Sequence, residues 1–598
     1  MVALPFSEKD IRRLRTPHTA LPSISAFYQV LNVLGCFLSV VAYAAIFRYS
    51  HVPLTLDILF TIFLAETNRL NIEKRRQQLR TSLTKSLSYK PELSASKIFP
   101  IDKDISDPGC VAAVVGYRED PQLFERALQS YIGARGCKFM LVGIDGDEAE
   151  DQEMINVFKQ VYPTNSALLH LDKPLAELAI QFDKNVVNPA FGSLYDHSFD
   201  RDSAAMSFCC QTVRDLLEAK NIKFSGPNAV SKLCISQSHM HKKGIMFTSF
   251  IFSIVISEML GIEYLWSSDS DSIIFEDTIA RTMSTMAGDP TVGGASAALQ
   301  IHNSEENLIT KLGNAVYLSE LYLARSFPSA VGANDCQSGP AAAFRVSALR
   351  DMMLPWYKQH VFGSWMIVNE DRHLTTNLLL RGWRVVFAAD ASTATDTPAT
   401  LRRWILQQVR WARAVHIESF CKPRIYLLQS PVLFFAAFRR EVGSLVVWFG
   451  ILFYMLTGKL IWVLSWSDLI SRTIWTIAYI ALRNPYRPNW STWLWLMPGQ
   501  VFYNFPLPAI QIWSLVTILD GSWGTTMRNS FEITRQARLK TKVYELGFFV
   551  LWSGVASGAI TRLLGTALNL EIIYLSMLIL GAVFSSWVGF GWWMVVTK

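Results

Sequence analysis

The sequence predicts an α/β domain inserted between membrane-spanning helices. Three observations carry that reading. The chain has 598 residues, 51% of them hydrophobic and 12% aromatic, which is too long for one domain and too apolar for an ordinary soluble enzyme. The apolar residues are concentrated near the start and from residue 430 onward. Between about 75 and 425, short β-like runs ending in acidic residues alternate with helical spacings.

Residues 24–47 carry no charge and are long enough to cross a bilayer, which takes roughly 20 apolar residues. This run begins too late, and lacks the small-residue cleavage site, for a signal peptide. Residues 54–65 are apolar but short, with Asp57 inside them. Lys/Arg-rich flanks mark the cytoplasmic side of membrane helices. Such flanks occur at 9–15 and 71–80, so the chain is expected to cross twice between them and 54–70 to be a second span. The competing reading is an interfacial amphipathic helix there. Further spans are expected at 442–457, 460–482, 544–565 and 571–596, making six, with both termini and the α/β domain inside. Residues 490–519 are aromatic and interrupted by Pro498, Pro506 and Pro508, which suits interfacial or re-entrant helices. The domain boundaries follow: 1–70 as an N-terminal membrane region, 75–425 as a cytosolic domain, and 426–598 as a C-terminal membrane region.

The eight cysteines show no metal-ligand spacing and read as reduced thiols. A net charge of +7, clustered beside apolar segments, points to membrane lipid and not to nucleic acid.

Within the central region, 110–120, 138–151 and 261–277 each read as a buried strand ending in polar residues, with 121–132 helical. Strands alternating with helices indicate a parallel sheet with crossovers, and such sheets bind ligands beyond the carboxyl ends of their strands. The polar clusters should therefore converge. Asp269 and Asp271, in "DSD", can turn two hard carboxylates onto one Mg²⁺ or Mn²⁺ that holds a pyrophosphate. Taken alone they could equally be solvated acids at a strand end. Glu119 and Asp145, also at strand ends, could accept hydrogen bonds from a uracil or ribose. In "NEDRH", Asn369 could cap a helix, with Glu370 and Asp371 in its first turn, where the helix dipole favours negative charge. By itself that accounts for both acids structurally, and "QQVRW" by itself would be an ordinary amphipathic helix.

The order "YRED", "IDGD", "DSD", "SGP", "EDRHLT", "QQVRW", "WGT" is more specific than its parts. It resembles the motif order of the processive, membrane-embedded family 2 glycosyltransferases, in particular hyaluronan synthases and the hyaluronan-synthase-like type 2 transferases of fungi. The resemblance runs from about 25 to 597. It implies a GT-A-type catalytic domain, an inverting transfer from a UDP-sugar to a growing polysaccharide, Mn²⁺ or Mg²⁺ as cofactor, a polymer channel through the spans, and a plasma-membrane location. By motif it implies that Tyr117, Glu119 and Asp145 hold uridine and that Lys242 meets the nucleotide phosphates. Asp269 and Asp271 form the DxD, with Asp271 ligating the metal. Cys336 lines the acceptor pocket, and Asp371, flanked by Glu370 and Arg372, is the general base. Gln407, Arg410 and Trp411 form QxxRW, with Trp411 on the acceptor sugar and Arg410 at the pyrophosphate. Trp523 and Thr525 lie in a gating loop at 522–528.

The chain departs from the pattern of hyaluronan makers where they read "GDDR", "SGPLGMYR" and "GGKR". Here these are Asn369-Glu370-Asp371-Arg372, "SGPAAAFR" (338–345) and "MHKKG". The changes leave the reaction type intact and the sugar open. "EDR" is also the chitin synthase form, although chitin synthases continue with "QRRRW". A single-donor chitin or β-glucan synthase is thus an alternative. Another is an inactive homologue serving as a channel or scaffold subunit, which would be expected to have lost one of the acids. Residues 163–232 match no motif.

Overall fold

The computed structural model describes residues 25–88, 108–186, 198–461, 465–521 and 539–596. The chain divides into two compact units.

The first unit comprises the described residues of 64–302 and 325–396. Its centre is a nine-stranded sheet in the order β3-β4-β2-β1-β5-β8-β7-β11-β6. The strands are β1 Cys110–Gly116, β2 Cys137–Asp145, β3 Ser166–Leu171, β4 Lys232–Gln237, β5 Tyr264–Asp269, β6 Ile273–Ile274, β7 Val292–Ile301, β8 Ala342–Arg345 and β11 Arg384–Thr395. A separate two-stranded hairpin is formed by β9 His360–Val361 and β10 Ser364–Trp365. From β3 to β5 every pairing is parallel. The sheet as a whole is mixed, not the purely parallel sheet expected, because β8 runs antiparallel between β5 and β7 and β6 runs antiparallel to β11. β8 follows directly on the short 3₁₀ turn of Gly339–Ala341.

Local chemistry explains the elements that position the site. β1 is apolar and buried on both faces, as a central strand covered by helices must be. The Pro121–Ser130 helix starts with proline at its first turn, and the Asp120 side chain accepts from Leu123 N at 2.9 Å. The Lys242–Leu260 helix is apolar enough to cross a membrane, yet its most apolar window is 83% buried within the protein, where it packs on β1 and β2. It is a core helix. It stops at Gly261, in the left-handed conformation at φ 68°.

The second unit comprises residues 26–63, 303–324 and 397–598. Three of the six expected spans are, among the described residues, helices long and apolar enough to cross a membrane: Ala26–Tyr49, Leu539–Ala567 and Ile572–Val596. The other three, 54–70, 442–457 and 460–482, fall on helices that carry charge, namely Pro53–Ser88, Pro431–Thr457 and Trp466–Arg483, the last beginning six residues into its expected span, of which 462–464 lie outside the described residues. Those charges are paired inside the unit. Asp57 meets Arg439 at 2.9 Å, Glu441 meets His416 at 2.6 Å and Arg472 meets Glu320 at 3.4 Å. Buried Asp468 accepts from the backbone N–H groups of Leu54 (2.9 Å) and Thr55 (2.8 Å), satisfying donors at the start of a helix. The proline-rich stretch forms three short helices, Trp490–Leu494, Leu496–Asn504 and Leu507–Val516. The last packs on the Leu401–Cys421 helix around Trp404, Ile405, Val409 and Ile510.

Candidate active site

The carboxyl ends of β1, β2, β4 and β5 lie side by side, and Val115 of β1 is in register with Asp269 of β5. Lys242, the first residue of its helix, reaches Asp269 with Nζ 2.7 Å from Oδ1, and Glu370 at 3.2 Å from Oε1. One ammonium thus serves two carboxylates, of which Glu370 is 3% exposed. Burial works against the charge on Lys242, but Asp269 and Glu370 outweigh it and hold its pKa above the ordinary lysine value. Burial raises the Asp269 pKa. Lys242 opposes that rise, while Asp271 and Asp371 add to it. Asp371 therefore acts electrostatically on both Lys242 and Asp269, so the DxD and the "EDR" acids share one site.

The acids of "NED" head the Glu370–Leu380 helix as expected. Asn369 holds the cap position and is buried, but its side chain makes no capping bond. Asp371 accepts from the backbone N–H of Arg372 (2.6 Å) and from the thiol of Cys336, with Sγ 3.7 Å from Oδ2. Burial, reinforced by Asp371, pushes the Cys336 thiol up to about 12, so it stays a neutral donor. The Arg372 guanidinium pairs with Asp335 at 2.7 Å, both largely buried.

The residues expected to hold the nucleotide form two small clusters. Glu119 accepts from Ser270, the middle residue of "DSD", at 3.0 Å. Tyr117 stacks on His239 with ring centroids 4.1 Å apart and planes 21° apart. Asp145, 1% exposed, has His239 Nδ1 2.9 Å from Oδ2, while Oδ1 accepts from Gln237 Nε2 (3.2 Å) and Met240 N (3.1 Å). The hydrogen bond to Asp145 raises the His239 pKa against the effect of burial.

Among the described residues no group of three His, Cys, Asp or Glu is poised to enclose a metal. The DxD offers two carboxylates. Gly339 keeps open the space beside one of them, since a Cβ there would stand 2.8 Å from Asp269 Oδ2.

Gln407, Arg410 and Trp411 belong to the second unit, on the Leu401–Cys421 helix, where their spacing puts them on one face. Gln407 is buried, and Trp411 meets Tyr317 edge-on at 6.2 Å. On the same helix, Arg413 pairs with Asp520 at 3.1 Å and donates to Thr517 at 2.8 Å. Trp523 and Thr525 lie outside the described residues.

Sequence reasoning missed His239, Gln237, Asp335 and Lys243. The first two sit in "SQSH", at and just past the end of β4, a segment without strong strand character. Their one signal was position, since polar residues at a parallel strand's carboxyl end belong to the ligand edge.

Residues 268–505 match the family described as "Glycosyl transferase family group 2". That span includes the DxD, the "EDR" helix and QxxRW. The chain is 24% identical to hyaluronan synthase 3 of Homo sapiens over 450 residues, 71% of this chain and 70% of that one. It is 24% identical to hyaluronan synthase 2 of Rattus norvegicus over 464 residues, 75% of this chain and 73% of that one. Among solved structures, the mannosyltransferase PcManGT from Pyrobaculum calidifontis, in complex with GDP-Man and Mn²⁺, overlays 78% of this chain and 99% of its own, at 12% identity and a TM-score of 0.36, too loosely to bear on the site. A mixed α/β sheet with carboxylates and a lysine gathered at its ligand edge, apolar helices in the second unit, and these sequence matches agree: the chain is a glycosyltransferase that carries a family 2 domain over residues 268–505 and is similar to hyaluronan synthases over 71% to 75% of its length.

Proposed function

We propose that this processive glycosyltransferase takes UDP-sugars as donors, inverts the anomeric carbon on transfer to a growing β-linked polysaccharide, and passes the polymer through its own membrane helices. The observation that carries the reading is Lys242, an ammonium held between the DxD carboxylate Asp269 and Glu370, the neighbour of Asp371. A sugar nucleotide needs positive charge where its diphosphate departs and a carboxylate where the acceptor hydroxyl loses its proton. This edge of the sheet carries both.

In this reading Asp371 takes the proton as the hydroxyl attacks in line. The Arg372 backbone N–H and the neutral Cys336 thiol hold its carboxylate in place. Lys242 meets the leaving diphosphate. Asp269 and Asp271 fit a hard divalent cation held jointly with diphosphate oxygens and water, and Gly339 leaves the room such a cation needs. When bound, Mn²⁺ or Mg²⁺ supplies charge neutralisation on the departing diphosphate. Gln407, Arg410 and Trp411 are proposed to meet acceptor and pyrophosphate, and a plasma-membrane location with the catalytic unit in the cytosol completes the reading.

The test is purified protein in lipid, incubated with each radiolabelled UDP-sugar singly and in pairs, with the product digested by linkage-specific glycosidases. Polymer from one donor alone identifies a chitin- or β-glucan-type synthase. Polymer only from a pair supports a hyaluronan-like product, and the absence of any transfer overturns the proposal.

A further inference from the structure

We propose that His239 is the platform on which the donor's nucleobase stacks, with Tyr117 as its backing layer and Asp145 as its anchor. The inference deepens the proposed function and rests on its nucleoside-diphosphate donor.

Tyr117 follows the last residue of β1, Asp145 ends β2, and His239 lies just beyond β4, all on the edge where parallel sheets take ligands. Tyr117 is not open to a base. Its ring already carries the His239 imidazole at 4.1 Å, and the Arg118 guanidinium stands 5.0 Å from its centroid. That guanidinium is fixed by Glu148 (2.5 Å), Glu150 (2.9 Å) and Asp151 (3.3 Å), on a residue whose backbone takes the left-handed conformation at φ 46°.

Asp145 is closed too. It is buried, and its oxygens face Gln237, Met240 N and His239. His239 is the member of the cluster left accessible, with its side chain 47% exposed although one ring face is covered by Tyr117. A flat ring, fixed at one nitrogen and backed by a second ring, is what a nucleobase stacks on. Three residues further along the chain, Lys242 stands at the proposed diphosphate position.

The test is UDP binding by calorimetry to the full chain in lipid nanodiscs, for wild type, H239F and H239Q. Phenylalanine keeps the ring and loses the hydrogen bond to Asp145; glutamine keeps a donor and loses the ring. Stacking on an aromatic platform is worth enough that H239Q should weaken UDP about tenfold or more, while H239F stays within about threefold. Inhibition by inorganic pyrophosphate with Mn²⁺ should be unchanged in both. The proposal is overturned if H239Q binds UDP as wild type does or more tightly, if H239F is the weaker of the two, or if pyrophosphate inhibition falls in parallel. A wild type that binds no UDP but binds another nucleoside diphosphate in a His239-dependent way would sink the UDP donor and leave the platform standing.

Discussion

The indole N–H of Trp356 donates to the backbone carbonyl of Glu370 at 2.8 Å, fixing the first turn of the helix that carries Asp371. Trp356 is itself held from behind. The Lys243 ammonium lies 5.3 Å from its ring centroid and donates to Met366 O at 3.0 Å. Adjacent lysines at one helix start therefore divide the labour, with Lys242 turned to the acids and the fully buried Lys243 turned to the scaffold beneath them. Trp356→Phe keeps an aromatic ring of smaller size and removes the donor, and leaving the buried carbonyl unpaired costs on the order of 1–3 kcal/mol. The expected result is a lower melting temperature and roughly tenfold slower transfer, with UDP affinity retained. Unchanged turnover would remove Trp356 from the positioning role.

Asp371→Asn keeps the size and loses the proton acceptor. Polymer synthesis should fall on the order of 10²–10⁴-fold while UDP binding holds, since loss of a general base usually has that effect. Radiolabel incorporation and UDP calorimetry on the same preparation separate the two quantities. Near-normal incorporation assigns the base elsewhere.

Metal dependence follows from the two-carboxylate DxD. Transfer should cease in excess chelator and return with Mn²⁺ or Mg²⁺. Asp271→Asn should raise the metal concentration needed for half-maximal activity. Full activity in chelator, with metal analysis showing none bound, would contradict the assignment.

His241 gives the structure an acid limit. It caps the Lys242–Leu260 helix by accepting the Gly244 N–H at Nδ1 (3.0 Å), with Tyr357 and Trp365 packed around its ring. Burial lowers its pKa from 6.5 to about 4. Asp145 pulls the other way, while Lys243 and His239 add to the lowering. The unfolded chain takes up this proton first as pH falls. The stability is therefore full above about pH 6.5 and declines between 6.5 and 4. His241→Asn can still cap the helix and should flatten that part of the melting-temperature profile. An identical decline in the variant would place the acid-sensitive group elsewhere.

How far these features were legible in the chain varies with the kind of interaction. The strand-end acids Glu119, Asp145, Asp269 and Asp271 were visible because a buried strand is an unbroken apolar run, and its polar terminus stands out. The helix headed by Glu370 and Asp371 was visible for the complementary reason. β8 was not. Its four residues, "AAFR", have no periodicity of their own, and they form a strand only because β5 and β7 offer edges on either side. The His239–Asp145 contact was equally hidden, since it joins residues on non-consecutive strands. Asp57 counted against 54–70 as a span, and its ion pair with Arg439, 382 residues further on, could not be read from the chain.

The strand order also bears on how the chain is made. β1 to β5, residues 110–269, form one contiguous half of the sheet, while β7, β8 and β11 all come later in the chain. Domains generally fold from the amino-terminal side during synthesis. This half can thus pair before Asp371 has left the ribosome. Until β8 arrives, β5 presents a bare row of backbone donors and acceptors, a template for pairing with the wrong chain. Between the synthesis of Asp269 and of Ala342 that edge of β5 has no partner strand, so a chaperone that covers it would act in this interval.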